Sequence, residues 1–138
     1  MSLIGKEFQL SIPSDANSIA EVESFVDQLR GEFEIPDELY GNILICLTEA
    51  VNNCIMHGNK YDPSKTVKVS GTKDGAVIII TAADEGEGFD YENLPDPTAP
   101  ENLHKSTGRG VFLMKQLSDY LKYSNGGATV EMRFKILS

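Results

Sequence analysis

Glu49, Asn53 and His57 stand at intervals of four residues, so on a helix they form one column along a single face. A carboxylate and an amide oxygen in such a column suit Mg²⁺, which takes hard oxygen ligands and keeps several waters. It uses few protein groups beside a substrate's phosphates. A solvated helix edge with ordinary hydrogen bonds would use the same residue types. Asp84 opens a second group, Asp84-Glu85-Gly86-Glu87-Gly88. Its carboxylate can accept a hydrogen bond from an exocyclic amine, and Gly86 and Gly88, lacking side chains, let a flat ring approach the backbone. A tight acidic turn is the plainer alternative. A calcium loop does not fit, because positions 86 and 88 lack the oxygen side chains that an EF-hand needs there.

The third group, Gly108-Arg109-Gly110, opens a predicted helix. Unpaired N–H groups and the helix dipole favour an anion at such a place, and Lys105 and Arg109 add positive charge if they are not simply solvated surface. It is neither a P-loop, for want of Gly-Lys-Ser/Thr, nor a dinucleotide-binding fingerprint, for want of a third glycine and a preceding strand.

The elements that must position these groups follow from periodicity. Phe8, Leu10 and Ile12 alternate with polar residues up to Pro13 and predict a half-buried strand. Ser14 or Asp15 can cap a helix whose Ile19, Val22, Phe25, Val26 and Leu29 recur at three- and four-residue spacing to about Phe33. A second, long helix runs from Asp37 to Met56, and His57-Gly58-Asn59 stops it with glycine in the terminating place. Its broad apolar arc, Ile43, Leu44, Leu47, Ala50, Val51, Cys54 and Ile55, puts it in the middle of the domain.

Val67 and Val69 begin a hairpin that turns at Lys73-Asp74-Gly75 into the apolar run 76–81, and that run leads straight to Asp84. From Tyr91 to Thr107 the chain holds Pro95, Pro97 and Pro100 with few large apolar residues, a length typical of functional lids. A third amphipathic helix carries Val111, Leu113, Met114, Leu117 and Leu121. Strands at about 120–123 and 129–136, turning at Asn125-Gly126-Gly127, close the chain. The order β-α-α-β-β-lid-α-β-β predicts a two-layer α/β (α+β) sandwich: one mixed, mostly antiparallel sheet with helices on one face.

Length and composition narrow the function. At 138 residues and 41% apolar side chains, a single domain over 1–138 with one sizeable core is expected. Twelve Lys and Arg against 21 Asp and Glu give a net charge of −9, so a phosphate backbone would be repelled and no direct nucleic-acid partner is expected. The longest uncharged apolar-type run, 76–83, is far short of the roughly 20 residues that span a bilayer, and the start of the chain lacks the pattern of a signal peptide. A cytoplasmic protein without a membrane segment is expected. Cys46 and Cys54, about 12 Å apart on one helix, are too distant to pair with each other, and the ligand set of a structural zinc site is missing.

Taken together, EAVNNCIMHGN (Glu49 to Asn59), DEGEGF (Asp84 to Phe89) and TGRGVFLM (Thr107 to Met114) resemble, in order and spacing, three boxes of a known superfamily. These are the N box and the two glycine boxes of the ATPases shared by gyrase, Hsp90, histidine kinases and MutL. Within it the chain most resembles the anti-sigma factor serine kinases of bacterial partner-switching systems, over nearly its whole length.

The resemblance implies the Bergerat, or histidine kinase-like ATPase, fold and a site for ATP or ADP with Mg²⁺. It implies that Glu49 orients the attacking hydroxyl, that Asn53 binds the metal and that Asp84 bonds the adenine amine. Gly86 and Gly88 would border the base, Gly108 and Gly110 with the adjoining Val111 would cradle phosphates, and Lys105 and Arg109 would neighbour them. Thr129 would lie near the adenine, and His57 would occupy a position common in the subfamily, with no role assigned to it. The implied partners are a sigma factor, which the protein sequesters, and a STAS-type anti-sigma-factor antagonist, whose serine it phosphorylates; a homodimer is also implied. No histidine stands in a dimerisation helix ahead of the N box, so neither a whole sensor kinase nor a gyrase-like machine is expected. The alternative is a nucleotide-binding interaction module without phosphoryl transfer. A plain ATPase would need a positioned water, for which the sequence gives no sign.

Overall fold

The computed structural model describes residues 6–86 and 109–136. The expected lid, together with Gly88, Lys105 and Gly108, lies outside these residues. Strand β1 (Phe8–Pro13) is followed by a 3-10 turn (Ala16–Ser18) and helix α1 (Ile19–Phe33), then by α2 (Asp37–Asn53) and a π turn (Cys54–Gly58). Next come β2 (Thr66–Asp74), β3 (Val77–Ala83), α3 (Arg109–Leu117), β4 (Tyr120–Ser124) and β5 (Thr129–Lys135).

The sheet order is β1-β2-β3-β5-β4, and every pairing among the described residues is antiparallel. The expected mostly antiparallel sheet is found, with no parallel pair among the described residues. The segment after β3 carries the chain past one strand position to β4, and β5 then returns between them. The strands β3 and β4, which run in the same direction, therefore never become neighbours.

Strand alternation assigns the faces. Ile12, Val67, Val69, Ile78, Ile80, Val130, Met132 and Phe134 are buried, while the residues between them face away from the helices. Against this face α1 lays Val22, Phe25, Val26 and Leu29, and α2 lays Ile43, Leu47 and Val51. Each such side chain contributes roughly 1.5–3 kcal/mol by leaving water. Asp15 caps the first turn by accepting from the Asn17 N–H at 2.9 Å. Ser14, the other candidate cap, is instead 1% exposed and donates to the Lys65 carbonyl at 2.8 Å. On the outer surface Arg30 pairs with Asp37 and lies over the Tyr40 ring, whose hydroxyl donates to Asp27, tying α1 to α2. Among the described residues no helix is long and apolar enough to cross a membrane.

Candidate functional site

The buried arc of α2 holds Ile43, Cys46, Leu47, Ala50 and Val51, and Glu49 and Asn53 sit half-buried on its flank. Among the described residues neither side chain is engaged in a hydrogen bond, so both oxygens are available to a metal or a substrate. At Cys54 the ladder widens, and the Asn59 N–H reaches five residues back to the Cys54 carbonyl at 2.8 Å. Single π turns of this kind occur often at functional sites. A π turn winds less per residue than an α turn, so the half-buried His57 departs from the line that runs from Glu49 to Asn53.

Gly58 does not end the helix in the way its position suggested. The left-handed residues that follow are Lys60 (φ 52°) and Tyr61 (φ 59°), and Gly58 is not among the residues with positive φ. Its lack of a side chain has a steric use. A carbon at that position would overlap the Asp84 carboxylate, whose Oδ1 lies 2.7 Å from where it would sit, and one on Gly86 would overlap the Gly58 carbonyl. The strand-end aspartate and the end of α2 are thus in backbone contact, and Asp84 is locked from its own side by the Gly86 N–H, which donates to Oδ1 at 2.8 Å. The Asp84 N–H donates to the Ala128 carbonyl at 2.8 Å, which extends the β3–β5 pairing by one step.

At the other end of the site α3 packs on α2. A carbon on Gly110 would overlap the Glu49 carboxylate, so the first turn of α3 lies directly against the side chain expected to do chemistry. Burial pushes the Cys46 thiol up to about 12, with the nearby Glu49 carboxylate adding to it. Cys54 is likewise pushed up to about 12 by burial and by Asp84. Both thiols are free and buried, which removes them from nucleophilic chemistry near neutral pH.

Of the expected site residues, the structure therefore brings Glu49 and Gly110 together, places Asn53 on the same helix flank, and gathers Asp84 and Gly86 at the end of that helix. Arg109 is exposed on α3. Val111 is 4% exposed and belongs to the core. Thr129 corrects the expectation set for it. It pairs with Ala83 and alternates with the buried Val130, so the pleat turns it to the sheet face away from Asp84 and α2. There its hydroxyl accepts from the Asn125 amide at 3.2 Å.

The sequence reading missed a set of groups behind Asp84. Asn59 is 1% exposed. Its amide nitrogen donates to Ser14 Oγ at 2.7 Å and to the Thr66 carbonyl at 3.0 Å, and its oxygen accepts from the Glu85 N–H at 2.9 Å. The Glu85 carboxylate accepts from the N–H of Thr66 and from its hydroxyl, the latter at 3.0 Å. These bonds, the backbone one first, hold its carboxyl below the usual glutamate range, helped by Lys68 and Lys65. The only signal in the sequence was that Gly58-Asn59 and Glu85 sit inside the quoted motifs.

The arrangement is one helix with a hard-oxygen pair, Glu49 and Asn53, in its last turn and a carboxylate acceptor held against the π turn that follows. A second helix closes on the pair. That suits an elongated ligand with an amine-bearing ring at one end and a charged, metal-binding group at the other. Among the described residues no cluster of three or more His, Cys, Asp or Glu could hold a metal by itself; the one or two oxygen ligands present are of the kind Mg²⁺ uses when phosphates complete its shell.

Residues 12–134 match the family described as the histidine kinase-like ATPase domain. The chain is 37% identical over 133 residues to an anti-sigma F factor of Anoxybacillus flavithermus, covering 90% of this chain and 87% of that one. It is 35% identical over 134 residues to an anti-sigma F factor of Geobacillus stearothermophilus, covering 91% and 88%. A serine-protein kinase RsbW of Bacillus cereus is 24% identical over 134 residues, covering 92% of this chain and 83% of that one. In three dimensions the chain resembles the crystal structure of the RsbU and RsbW domains of a Mycobacterium tuberculosis protein, with a TM-score of 0.62 at 13% identity. The likeness covers 96% of this chain and 32% of that larger one, and shows the fold.

Proposed function

Because the chain belongs to the histidine kinase-like ATPase family, we propose that it is an anti-sigma regulatory kinase. In this reading it binds Mg-ATP along α2, phosphorylates a serine of a small STAS-type antagonist, and sequesters a sigma factor as a homodimer in the cytoplasm. The observation that carries this reading is the seating of the Glu49 carboxylate against Gly110, with Asn53 one turn further along α2 and Asp84 locked at the end of that helix. The names of the relatives, anti-sigma F factor and serine-protein kinase, support the partner class and the reaction.

Asp84 accepts from the adenine amine, which orients the nucleotide along α2 with its phosphates toward Gly110. Asn53 Oδ1 is the protein oxygen fitted to Mg²⁺, and the ion would supply neutralisation of phosphate charge. Glu49 accepts a hydrogen bond from the serine hydroxyl and aims its oxygen at the γ-phosphorus. The new O–P bond forms as the bond to the bridging oxygen breaks, ADP departs, and Glu49 takes the hydroxyl proton. Positioning and electrostatics supply most of the rate in such transfers. Sequestration of the sigma factor is a second activity of the same chain, released when unphosphorylated antagonist competes; nucleotide biases this choice only through differential affinity.

The test is phosphate transfer from γ-labelled ATP to a purified STAS-type antagonist from the same organism, by wild type and by Glu49→Ala. The expected loss is about 10²–10⁴-fold with ADP binding retained. Transfer by Glu49→Ala at the wild-type rate removes that role. A wild type that binds nucleotide and antagonist but leaves no phosphate on the serine would be an interaction module instead.

A further inference from the structure

We propose that Asn59 is a positioning residue for nucleotide selection: with Glu85 it holds the Asp84 carboxylate in the one orientation that favours adenine over guanine. The proposal deepens the ATP-binding reading above and rests on it.

A buried asparagine can make up to four hydrogen bonds, two from its nitrogen and two to its oxygen. Asn59 makes three of them, and its partners fix which way the amide points. Thr66 offers a carbonyl, which needs a donor, and Glu85 offers an N–H, which needs an acceptor. A flipped amide would lose both. The bond from the Glu85 N–H is the telling one, because it holds the peptide immediately after Asp84. Glu85 then reaches over the same site to cap the Thr66 N–H and hydroxyl. The loop that carries Asp84 is therefore pinned on both sides of residue 85, by a side chain from the end of α2 and by the start of β2. Ser14, at the end of β1, completes the clasp.

A generic structural clasp would steady any loop. This one sits directly behind the carboxylate whose direction decides which ring atom it meets. Adenine presents an exocyclic amine there, which donates; guanine presents a carbonyl oxygen, which a carboxylate repels. Discrimination built on such a polar match is lost when the acceptor can swing aside. The Gly58 and Gly86 contacts stop Asp84 from moving toward α2, and Asn59 and Glu85 stop it from moving away.

The test is calorimetric titration of Mg-ADP and Mg-GDP into wild type, Asn59→Ala, Glu85→Ala and Glu85→Gln, with phosphate transfer at saturating ATP alongside. Asn59→Ala removes all three bonds, of which the one from the Glu85 N–H holds the loop; loss of that bond predicts about a tenfold weaker ADP affinity and a fall in the ADP-over-GDP preference of similar size. The maximal transfer rate should stay within about threefold, since Glu49 and Gly110 are untouched. Glu85→Ala should move both in the same direction, and Glu85→Gln, which keeps an acceptor for Thr66, should restore part of the loss. If Asn59→Ala does not fold, the exposed Glu85 pair decides the matter. A folded variant set with wild-type ADP affinity and preference overturns the proposal, as does a lowered melting temperature with the preference unchanged. A folded wild type that binds neither nucleotide overturns the ATP-binding reading itself and this inference with it.

Discussion

The Glu49 carboxylate occupies the space that a side chain at Gly110 would fill. Two residues 61 positions apart thus share one small volume, and the glycine in α3 leaves room for a carboxylate in α2. In the mechanism proposed above, the catalytic geometry depends on that closeness.

Gly110→Ala separates this effect from helix stability. Alanine is favoured over glycine by up to about 1 kcal/mol in a helix, less in a first turn such as that of Gly110, so propensity alone would not lower the melting temperature. The added methyl must displace Glu49, and a shift of about 1 Å in a positioning group can lower a rate by about 100-fold. The expected outcome is a fall of that order in the maximal transfer rate, with a smaller change in ADP affinity by calorimetry.

Gly58 and Lys60 give opposite expectations. Gly58→Ala should abolish nucleotide binding, because the methyl meets the Asp84 carboxylate. Lys60→Gly relieves a left-handed lysine and should stabilise the fold by about 0.5–1 kcal/mol in urea unfolding. A reading in which Gly58 serves as the conformational stop would expect the reverse sensitivity.

The two thiols set an alkaline limit. Their pKa values rise from 9.0 to about 12 in the folded chain, so the stability they contribute is complete below pH 9 and is lost as the pH climbs toward 12. At pH 8 iodoacetamide should leave the native protein unmodified and label both cysteines after unfolding. Mass spectrometry reads the difference.

Glu85 acts in the opposite sense at acid pH. Its folded-state pKa lies below the ordinary 4.5, so its contribution is complete above that value and is lost as the pH falls through the lower folded-state value. Glu85→Gln should remove this part of the acid dependence of stability, measured by urea unfolding from pH 6 down to pH 3.

The elements of this fold were legible because their signals are local. Alternation in Phe8, Leu10 and Ile12, the heptad-like spacing in α1, and glycine turns at Gly75 and Gly126-Gly127 each depend on a few neighbouring residues. The residue types at the site were legible for the same reason. Placement across the sheet was not. The pleat that turns Thr129 away from Asp84 depends on the register of β5 against β3, and the antiparallel outcome depends on β5 returning between β3 and β4. The steric uses of Gly58 and Gly110 require knowing which distant carboxylate sits beside them. The π turn carries no marker in its composition, and the role of Asn59 appears only when the ends of β1, α2 and β3 meet.

Calorimetric titration of Mg-ATP into wild type and Asp84→Ala tests the central claim, that a nucleotide lies along α2 with its base at Asp84. The account predicts saturable binding by the wild type that weakens at least tenfold in Asp84→Ala, about 1.4 kcal/mol or more, with both proteins folded. Equal affinity in the two, or no binding by a folded wild type, would contradict it.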